Sequence, residues 1–366
     1  YITRSVQHRS EQLVEEATML NDKNTLVSQL SNLSIQLYNT ILRSGYVKND
    51  DEYRKITQYF FERLPQYHLN ELDFKEKLWI YKAHLWYSIL VQDFVSSYKY
   101  AQKWVELFYD HPKMIAQNPV FYLKGNQYLL ESLYFLKYKT KFEATLNQME
   151  KIVAMDSFPN NDNVGALAFM YRYHHRLNLC FLEGTFEKGL DDVPKILKGL
   201  KSYSNQIDDH HVMVFYYKIA SVYFGLRDFK SCIAYLKKII DNKNLTMRED
   251  LMCFARVLSL VAHYEAGMDY HLDVQLRSTY KFLIKMNELQ QVQREMIRFL
   301  RSLGGLYPSE LKDAFGKLYK KLKKYERDPY EKRAFLYLDV LSWLKSKIEN
   351  KSIAEVIQNR SKELIR

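Results

Sequence analysis

The sequence predicts an all-α protein built from repeated helix pairs. Glycine and proline are scarce, with 11 and 7 of the 366 residues, which is well below ordinary usage and favours long helices over strands joined by tight turns. Apolar residues recur at helical spacing along most of the chain. A turn followed by phenylalanine also recurs, at Phe94, Phe142, Phe186 and Phe229, with intervals of 48, 44 and 43 residues. Periods of this length are typical of stacked helical repeats.

The N-terminal part predicts one divergent helix pair. Residues 1–20 carry a sparse apolar stripe and are interpreted as part of a helix, and residues 21–43 give a clearer amphipathic helix. Gly45 is a suitable C-terminal stop. Asp50 begins the partner helix, which we expect to end before Pro65 because proline disfavours a helical residue in front of it.

Further helix pairs follow at regular distances. The second helix of each of the first four is predicted to open at one of the recurring phenylalanines, and the fifth has a more complex turn. The predicted pairs span residues 78–109, 120–155, 165–200, 211–242 and 251–286.

The pair at residues 211–242 shows the plan most clearly. Its first helix has one apolar face, which includes Phe215, Ile219 and Tyr223, and Asp228 is placed to cap the second helix. Cys232 and Leu236 belong to the apolar face of that second helix. A helix pair of this length cannot bury both faces alone, so it needs neighbours that stack on it.

This pair resembles a tetratricopeptide repeat (TPR). The family's aromatic, Leu-Gly and Tyr positions on the first helix correspond to Tyr216, Ile219-Ala220 and Tyr223, and its second-helix positions correspond to Cys232, Leu236 and Ile239. Ile239 is bulkier than the family's alanine, and the period is longer than the ~34 residues of a standard TPR and close to that of HEAT-type repeats. The resemblance implies a right-handed α-α superhelix that recognises a protein or peptide rather than performing catalysis.

The C-terminal part departs from the repeat. We predict a helix over residues 292–303 that stops at Gly304-Gly305, a helix from Pro308 to about Tyr325, one long helix over residues 330–348, and a polar helix from Ser352. The predicted organisation is therefore an N-terminal region at 1–72, TPR-like repeats at 73–303 and a helical cap at 304–366.

Charge and cysteine content suggest the partner and the compartment. The formal net charge of +11 favours an anionic partner, namely a nucleic acid, an acidic protein or a membrane surface; the alternative, which the spread of lysines along the chain favours, is that they only solvate the outer helix faces. Three cysteines without a CxxC motif predict buried free thiols in a reducing compartment, the cytoplasm. No apolar run approaches the ~20 residues of a membrane span. The chain begins with Tyr1 rather than methionine, so a cleaved leader is an open alternative.

The sequence contains no pattern that predicts catalysis. Glycine-rich phosphate loops, HExxH, GxSxG and EF-hand loops are all missing. The pairs His174-His175 and His210-His211 do not form a two-ligand face, because adjacent residues on a helix point about 100° apart. We therefore predict no catalytic residue, no cofactor and no metal.

Two candidate binding surfaces remain. The first helices of TPR pairs line the inner groove, where aromatic and polar side chains suit a peptide or partner helix; packing under neighbouring helices is the alternative for each residue. The predicted groove residues are Trp79, Lys82, Trp86, Tyr134, Tyr138, Tyr171, His174, Asn178, Tyr217 and Lys218. The second candidate is a basic patch for the phosphates of a nucleic acid or a membrane, and a solvated lysine-rich helix face is the alternative. It consists of Lys317, Lys320, Lys321, Lys323 and Lys324.

Overall fold

The computed structural model is all-helical, and the part of the chain that it describes contains no strand. It describes residues 4–242, 249–268, 272–285, 291–303, 307–337 and 339–363. The α-helices are α1 (Arg4–Ser44), α2 (Asp50–Arg63), α3 (Phe74–Leu90), α4 (Phe94–Asp110), α5 (Lys113–Gln117), α6 (Pro119–Phe135), α7 (Lys139–Val153), α8 (Asp162–Glu183), α9 (Phe186–Ser202), α10 (Asp209–Gly225), α11 (Phe229–Ile240), α12 (Glu249–Glu265), α13 (Leu272–Lys285), α14 (Gln291–Ser302), α15 (Pro308–Lys323), α16 (Ala334–Tyr337), α17 (Val340–Glu349) and α18 (Ile353–Glu363).

Local chemistry fixes many of the helix ends. Asp93 and Asp228 each accept hydrogen bonds from backbone N–H groups in the first turn of α4 and α11, as the sequence predicts for Asp228. Gly45 adopts a left-handed conformation and ends α1, and Pro308 is the first residue of α15. These predicted start and stop signals are confirmed.

A left-handed residue follows the first helix of every pair. These residues have positive φ at positions 45, 92, 137, 184, 227 and 267, so the intervals are 47, 45, 47, 43 and 40 residues. Three of them are glycines, for which this conformation carries no Cβ penalty, and the others are Gln92, Lys137 and Arg227. The left-handed turn is therefore present in the backbone even where the sequence has no glycine to mark it.

Two sequence predictions differ from the structure near these turns. The first 43 residues do not form two helical segments, because α1 continues without a break from Arg4 to Ser44. Phe142 does not open a helix: α7 begins at Lys139 after the left-handed Lys137, and Phe142 lies in its first turn. Phe94, Phe186 and Phe229 do occupy first helical positions.

The long helix predicted over residues 330–348 is also wrong. Turns precede a short helix, α16, and a new helix, α17, begins after Asp339, whose carboxylate accepts a hydrogen bond from the Ser342 N–H at 3.1 Å. Because an N-cap aspartate satisfies the free N–H groups of a helix start, it favours a break at this point. The predicted stop at Gly304-Gly305 lies outside the described residues.

The chain forms two compact units, Tyr1–Ser132 and Leu133–Arg366, and the division falls within α6. In the first unit α1 packs on α3, and α3 pairs with α4. Its core includes the fully buried side chains of Phe60, Leu85, Trp104 and Tyr122. The hydrophobic effect of such large side chains, each contributing roughly 1.5–3 kcal/mol when buried, holds the pairs together.

In the second unit α8, α10 and α12 each pair with the following helix, and neighbouring pairs are in contact. Phe142 and Phe186 are buried at their turns, and Phe229 is half-buried. The core continues from these pairs into α14, α15 and α17.

The C-terminal helices of the second unit return to its earlier helices. Trp343 and Lys347 on α17 donate hydrogen bonds to the Glu265 carboxylate at the end of α12, at 2.7 and 2.6 Å. Helix α18 packs on α8, where a Cβ added to Gly184 would lie 2.8 Å from the Ala354 carbonyl oxygen. Gly184 therefore serves both its left-handed turn and the close approach of α18.

None of the described helices is long and apolar enough to cross a membrane.

Candidate partner-binding site

Two helices of the first unit present matching side chains to each other. Trp79, Lys82 and Trp86 lie at i, i+3 and i+7 on α3, and Phe121, Lys124 and Tyr128 repeat that spacing on α6. We call these six residues the α3–α6 ladder. Residues at this spacing lie on one face of a helix, so the two sets form aromatic, cationic and aromatic rungs.

Ring contacts define the two aromatic rungs. The ring centroids of Trp79 and Phe121 are 6.0 Å apart, and those of Trp86 and Tyr128 are 5.4 Å apart. Both pairs meet at 71°, which is the edge-to-face geometry that the ring quadrupole favours. On α1, Tyr38 extends the second rung, with its ring centroid 4.8 Å from that of Trp86 and 44% of its surface exposed.

The lysine rung is electrostatically unusual. The Lys82 ammonium lies 4.0 Å from the ring centroid of Trp79 and 5.7 Å from that of Phe121. Burial, together with the neighbouring Lys124 ammonium, lowers the pKa of Lys82 to about 8. Among the described residues, no carboxylate pairs with either lysine. The rung therefore holds a half-buried cation whose charge is met only by aromatic rings.

A rigid floor supports the ladder. Trp104 on α4 is fully buried, and its ring centroid lies 6.4 Å from that of Phe121 and 5.9 Å from that of Tyr128. Gly125 allows this approach, since a Cβ there would lie 2.8 Å from the Trp104 ring. The floor positions α6 against α4, the helix with which α3 pairs.

The sequence prediction found only half of this site. Trp79, Lys82 and Trp86 were predicted, and Phe121, Lys124 and Tyr128 were missed. The missed signal is a spaced repeat, aromatic-x-x-Lys-x-x-x-aromatic, which occurs at residues 79–86 and again at 121–128.

The predicted groove residues of the second unit form a different kind of cluster. Asn178 is buried and accepts a hydrogen bond from the Lys218 ammonium, and its amide lies 3.4 Å from Nδ1 of the buried His175. Lys218 also lies 6.0 Å from the ring centroid of Tyr134 and 5.6 Å from that of Phe181. Here the lysine has a polar acceptor supplied by the chain itself.

Burial governs the titration of this second cluster. It lowers the pKa of His174 well below its ordinary value, and the nearby Lys218 charge acts in the same direction. It raises the pKa of Tyr134, and the Asp339 carboxylate adds to that shift. Neutral His174 and Tyr134 therefore line the cluster at physiological pH.

The remaining predicted groove residues are divided between interior and surface. Tyr171 and Tyr217 are 9% and 4% exposed and pack inside the second unit, as does Asn178. Tyr138, the residue before α7, is 46% exposed. The structure thus brings Tyr134, Asn178 and Lys218 together but keeps Tyr171 and Tyr217 in the core, where a partner does not reach them.

The predicted basic patch lies on α15 and the turn after it. Lys317 pairs with Asp313 at 2.7 Å, Lys321 with Glu295 at 2.7 Å, and Lys323 with Glu326 at 2.5 Å. Lys320 and Lys324 are exposed. Three of the five charges are therefore matched by carboxylates of the same unit, which reduces the field available to a polyanion.

Among the described residues, no group of three or more His, Cys, Asp and Glu side chains is arranged to hold a metal. Cys180, Cys232 and Cys253 are buried and form no disulfide. Burial raises the pKa of Cys180, so this thiol remains protonated and unreactive at neutral pH.

No protein-family model and no curated protein sequence matches this chain.

Proposed function

We propose that this chain is a non-catalytic scaffold that binds a protein or peptide, with TPR-like helix pairs stacked into a right-handed superhelix. The observation that carries the proposal is the α3–α6 ladder, in which aromatic side chains share one face with two lysines that have no carboxylate partner in the described part of the chain. Large aromatic side chains with few rotatable bonds are the typical anchors of protein interfaces. The left-handed turns at intervals of 40 to 47 residues support the repeat architecture.

The alternative is a regulatory protein that senses a peptide or binds nucleic acid through its basic surface, and α15 is the candidate surface for nucleic acid. The ion pairs of Lys317, Lys321 and Lys323 disfavour it, because lysines already neutralised by carboxylates release few counterions from a phosphate backbone. We place the protein in the cytoplasm because its three thiols are buried and unpaired by disulfides.

Selection from a displayed peptide library tests the proposal. Peptides enriched on the wild-type protein should bind the Trp86→Ala variant at least about tenfold more weakly, because truncation of an aromatic anchor removes much of the binding energy. Phe61→Ala is the matched control: Phe61 is an aromatic residue of the same unit, 57% exposed and outside the ladder. Affinities are measured by fluorescence anisotropy, with thermal unfolding to confirm that both variants fold.

The proposal fails if no peptide is enriched above background. It also fails if the enriched peptides bind both variants as tightly as they bind the wild type.

A further inference from the structure

We propose that the α3–α6 ladder binds an acidic amphipathic helix, with one carboxylate of that helix held between Lys82 and Lys124 and an apolar side chain on each aromatic rung. This inference rests on the proposed function and names the chemistry of the partner. Three features of the ladder lead to it: its charge, its spacing and the geometry of its rings.

The positive charge of the lysine rung favours binding of an anion. Lys82 is half-buried, and its charged neighbour is a second cation, so the pair repels itself across the lysine rung. A half-buried cation is stabilised by an opposite charge far more than an exposed one, since the surrounding dielectric is lower. A carboxylate placed between the two ammonium groups would satisfy both and remove the repulsion.

The spacing fits a helix. The rungs lie at i, i+3 and i+7, so they cover roughly 10 Å along α3 at 1.5 Å per residue. A helix laid along the ladder presents residues with the same spacing on one face, as in helix-in-groove recognition. A segment with apolar, acidic and apolar residues at i, i+3 and i+7 therefore matches the three rungs in register.

The ring geometry favours side chains over nucleobases. Both aromatic rungs pack edge to face at 71°, which produces a corrugated wall rather than a row of parallel faces. Single-stranded nucleic acids bind on rings whose faces are open to successive bases, in grooves with many cations along the backbone. The ladder has two cations, and branched aliphatic side chains fit its wall better than flat bases do.

Two synthetic helical peptides test the inference. One carries leucine, glutamate and leucine at i, i+3 and i+7 on an alanine- and glutamine-based helix, and the other has glutamine in place of the glutamate. Each is titrated against the wild-type protein and the Lys82→Met variant. Methionine retains the length and apolar stem of lysine, so the aromatic rungs keep their contact.

The control variant is Lys103→Met. Lys103 is also half-buried and lies 5.8 Å from a ring centroid, that of Tyr81, but it belongs to α4 and not to the ladder. This variant distinguishes the loss of the carboxylate-binding position at Lys82 from a general loss of positive charge.

We expect the wild-type protein to prefer the glutamate peptide by about tenfold or more, since a hydrogen bond to a charged group typically contributes that much. Lys82→Met should abolish the preference, whereas Lys103→Met should leave it within about twofold.

Equal binding of the two peptides to the wild type would overturn the proposal that a carboxylate binds between Lys82 and Lys124, while leaving the scaffold proposal intact. The carboxylate proposal would also fail, and the scaffold proposal would stand, if neither designed peptide binds but the binding of library-selected peptides still depends on Trp86. Tight binding of a single-stranded oligonucleotide that is lost in Lys82→Met would overturn the inference in favour of a nucleic acid. Failure of both the designed and the selected peptides would overturn the scaffold proposal itself.

Discussion

Lys82 and Lys218 have similar aromatic surroundings but differ in their polar and charged neighbours. Each ammonium lies within about 6 Å of two aromatic ring centroids, which is the range of cation–π attraction. In the second unit, Asn178 completes the environment of Lys218 with a hydrogen bond. In the first unit, the charged neighbour of Lys82 is another lysine. Among the described residues, the lack of a counter-charge at Lys82 distinguishes the ladder from the cluster around Lys218.

The C-terminal helices of the second unit cover parts of its earlier helices. Its C-terminal helices contact the end of α12 through Glu265 and the end of α8 through Gly184. Gln358 on α18 donates a hydrogen bond to the Gly184 carbonyl at 3.4 Å. Helix α18 thus covers the turn that follows α8.

The largest expected effect is a loss of stability in the core beneath the second-unit cluster of Asn178 and Lys218. Phe142 is fully buried, and its ring centroid lies 5.7 Å from that of His175, which approaches Asn178. Phe142→Ala should reduce the free energy of unfolding by about 3–5 kcal/mol, because it leaves a cavity in a packed core. Chemical denaturation measures the loss. Phe229→Ala, at a half-buried position, should have a clearly smaller effect, and equal losses would contradict the burial that distinguishes the two sites.

The next largest effect tests the close approach of α18 to the turn at Gly184. Gly184→Ala should destabilise the protein by about 1–2 kcal/mol from the left-handed conformation alone, with a further loss because its Cβ meets the backbone of Ala354. Gly267→Ala is the matched control, since its φ of +65° is similar to the +67° of Gly184 but nothing lies within 4 Å of an added Cβ. Hydrogen exchange should show faster exchange in α18 only for Gly184→Ala. Unchanged exchange there would contradict the close approach.

A smaller effect compares the two lysines directly. Lys218→Met should reduce the free energy of unfolding by about 1–3 kcal/mol, because it leaves the buried Asn178 oxygen without its donor. Lys82→Met should be neutral or stabilising at pH 7, since it removes a desolvated cation for which the described residues supply no carboxylate partner. Thermal denaturation of both variants checks the contrast, and a loss at Lys82 as large as that at Lys218 would contradict it.

The pH dependence of stability sharpens the comparison further. The pKa of Lys82 is about 8 in the folded protein, against about 10.4 for an unperturbed lysine. Below pH 8 both states hold the proton, so the penalty of the buried charge is fully present. As pH rises from 8 towards 10.4, the unfolded chain binds more protons than the folded one, and the folded state gains stability. Wild type should therefore gain stability relative to Lys82→Met across this window; a constant difference would argue against a lowered pKa.

The fold could be predicted from the sequence wherever a signal is local. The all-helical class, the Asp228 cap, the Gly45 stop and the Pro308 start depend on single residues or on short-range periodicity. The turn at Lys137 was not predictable in the same way. A lysine gives no sign of a positive φ, because the hydrogen bonds and packing of the turn impose that conformation. Phe142, three residues after the true helix start, therefore misled the assignment.

Half of the ladder was missed because helices in contact are staggered. Aligning the turns at Gln92 and Lys137 places residue 127 opposite Lys82, whereas the structure places Lys124 there. The difference of three residues is about one helical turn, and it depends on how the helices cross, which the sequence does not encode locally. Inward periodicity also failed to separate surface from core, since Tyr171 and Tyr217 have the predicted offsets and are buried.

Measurement of the pKa of Lys82 is the most direct test of the claim that the ladder holds a half-buried cation that binds a carboxylate. Its amine can be followed by NMR after reductive ¹³C-methylation, with the Lys82→Arg variant used to assign the signal. The pKa should be about 8 in the free protein, and the glutamate peptide should raise it while the glutamine peptide leaves it unchanged. An ordinary lysine pKa of about 10.4 in the free protein, unaffected by either peptide, would contradict the account.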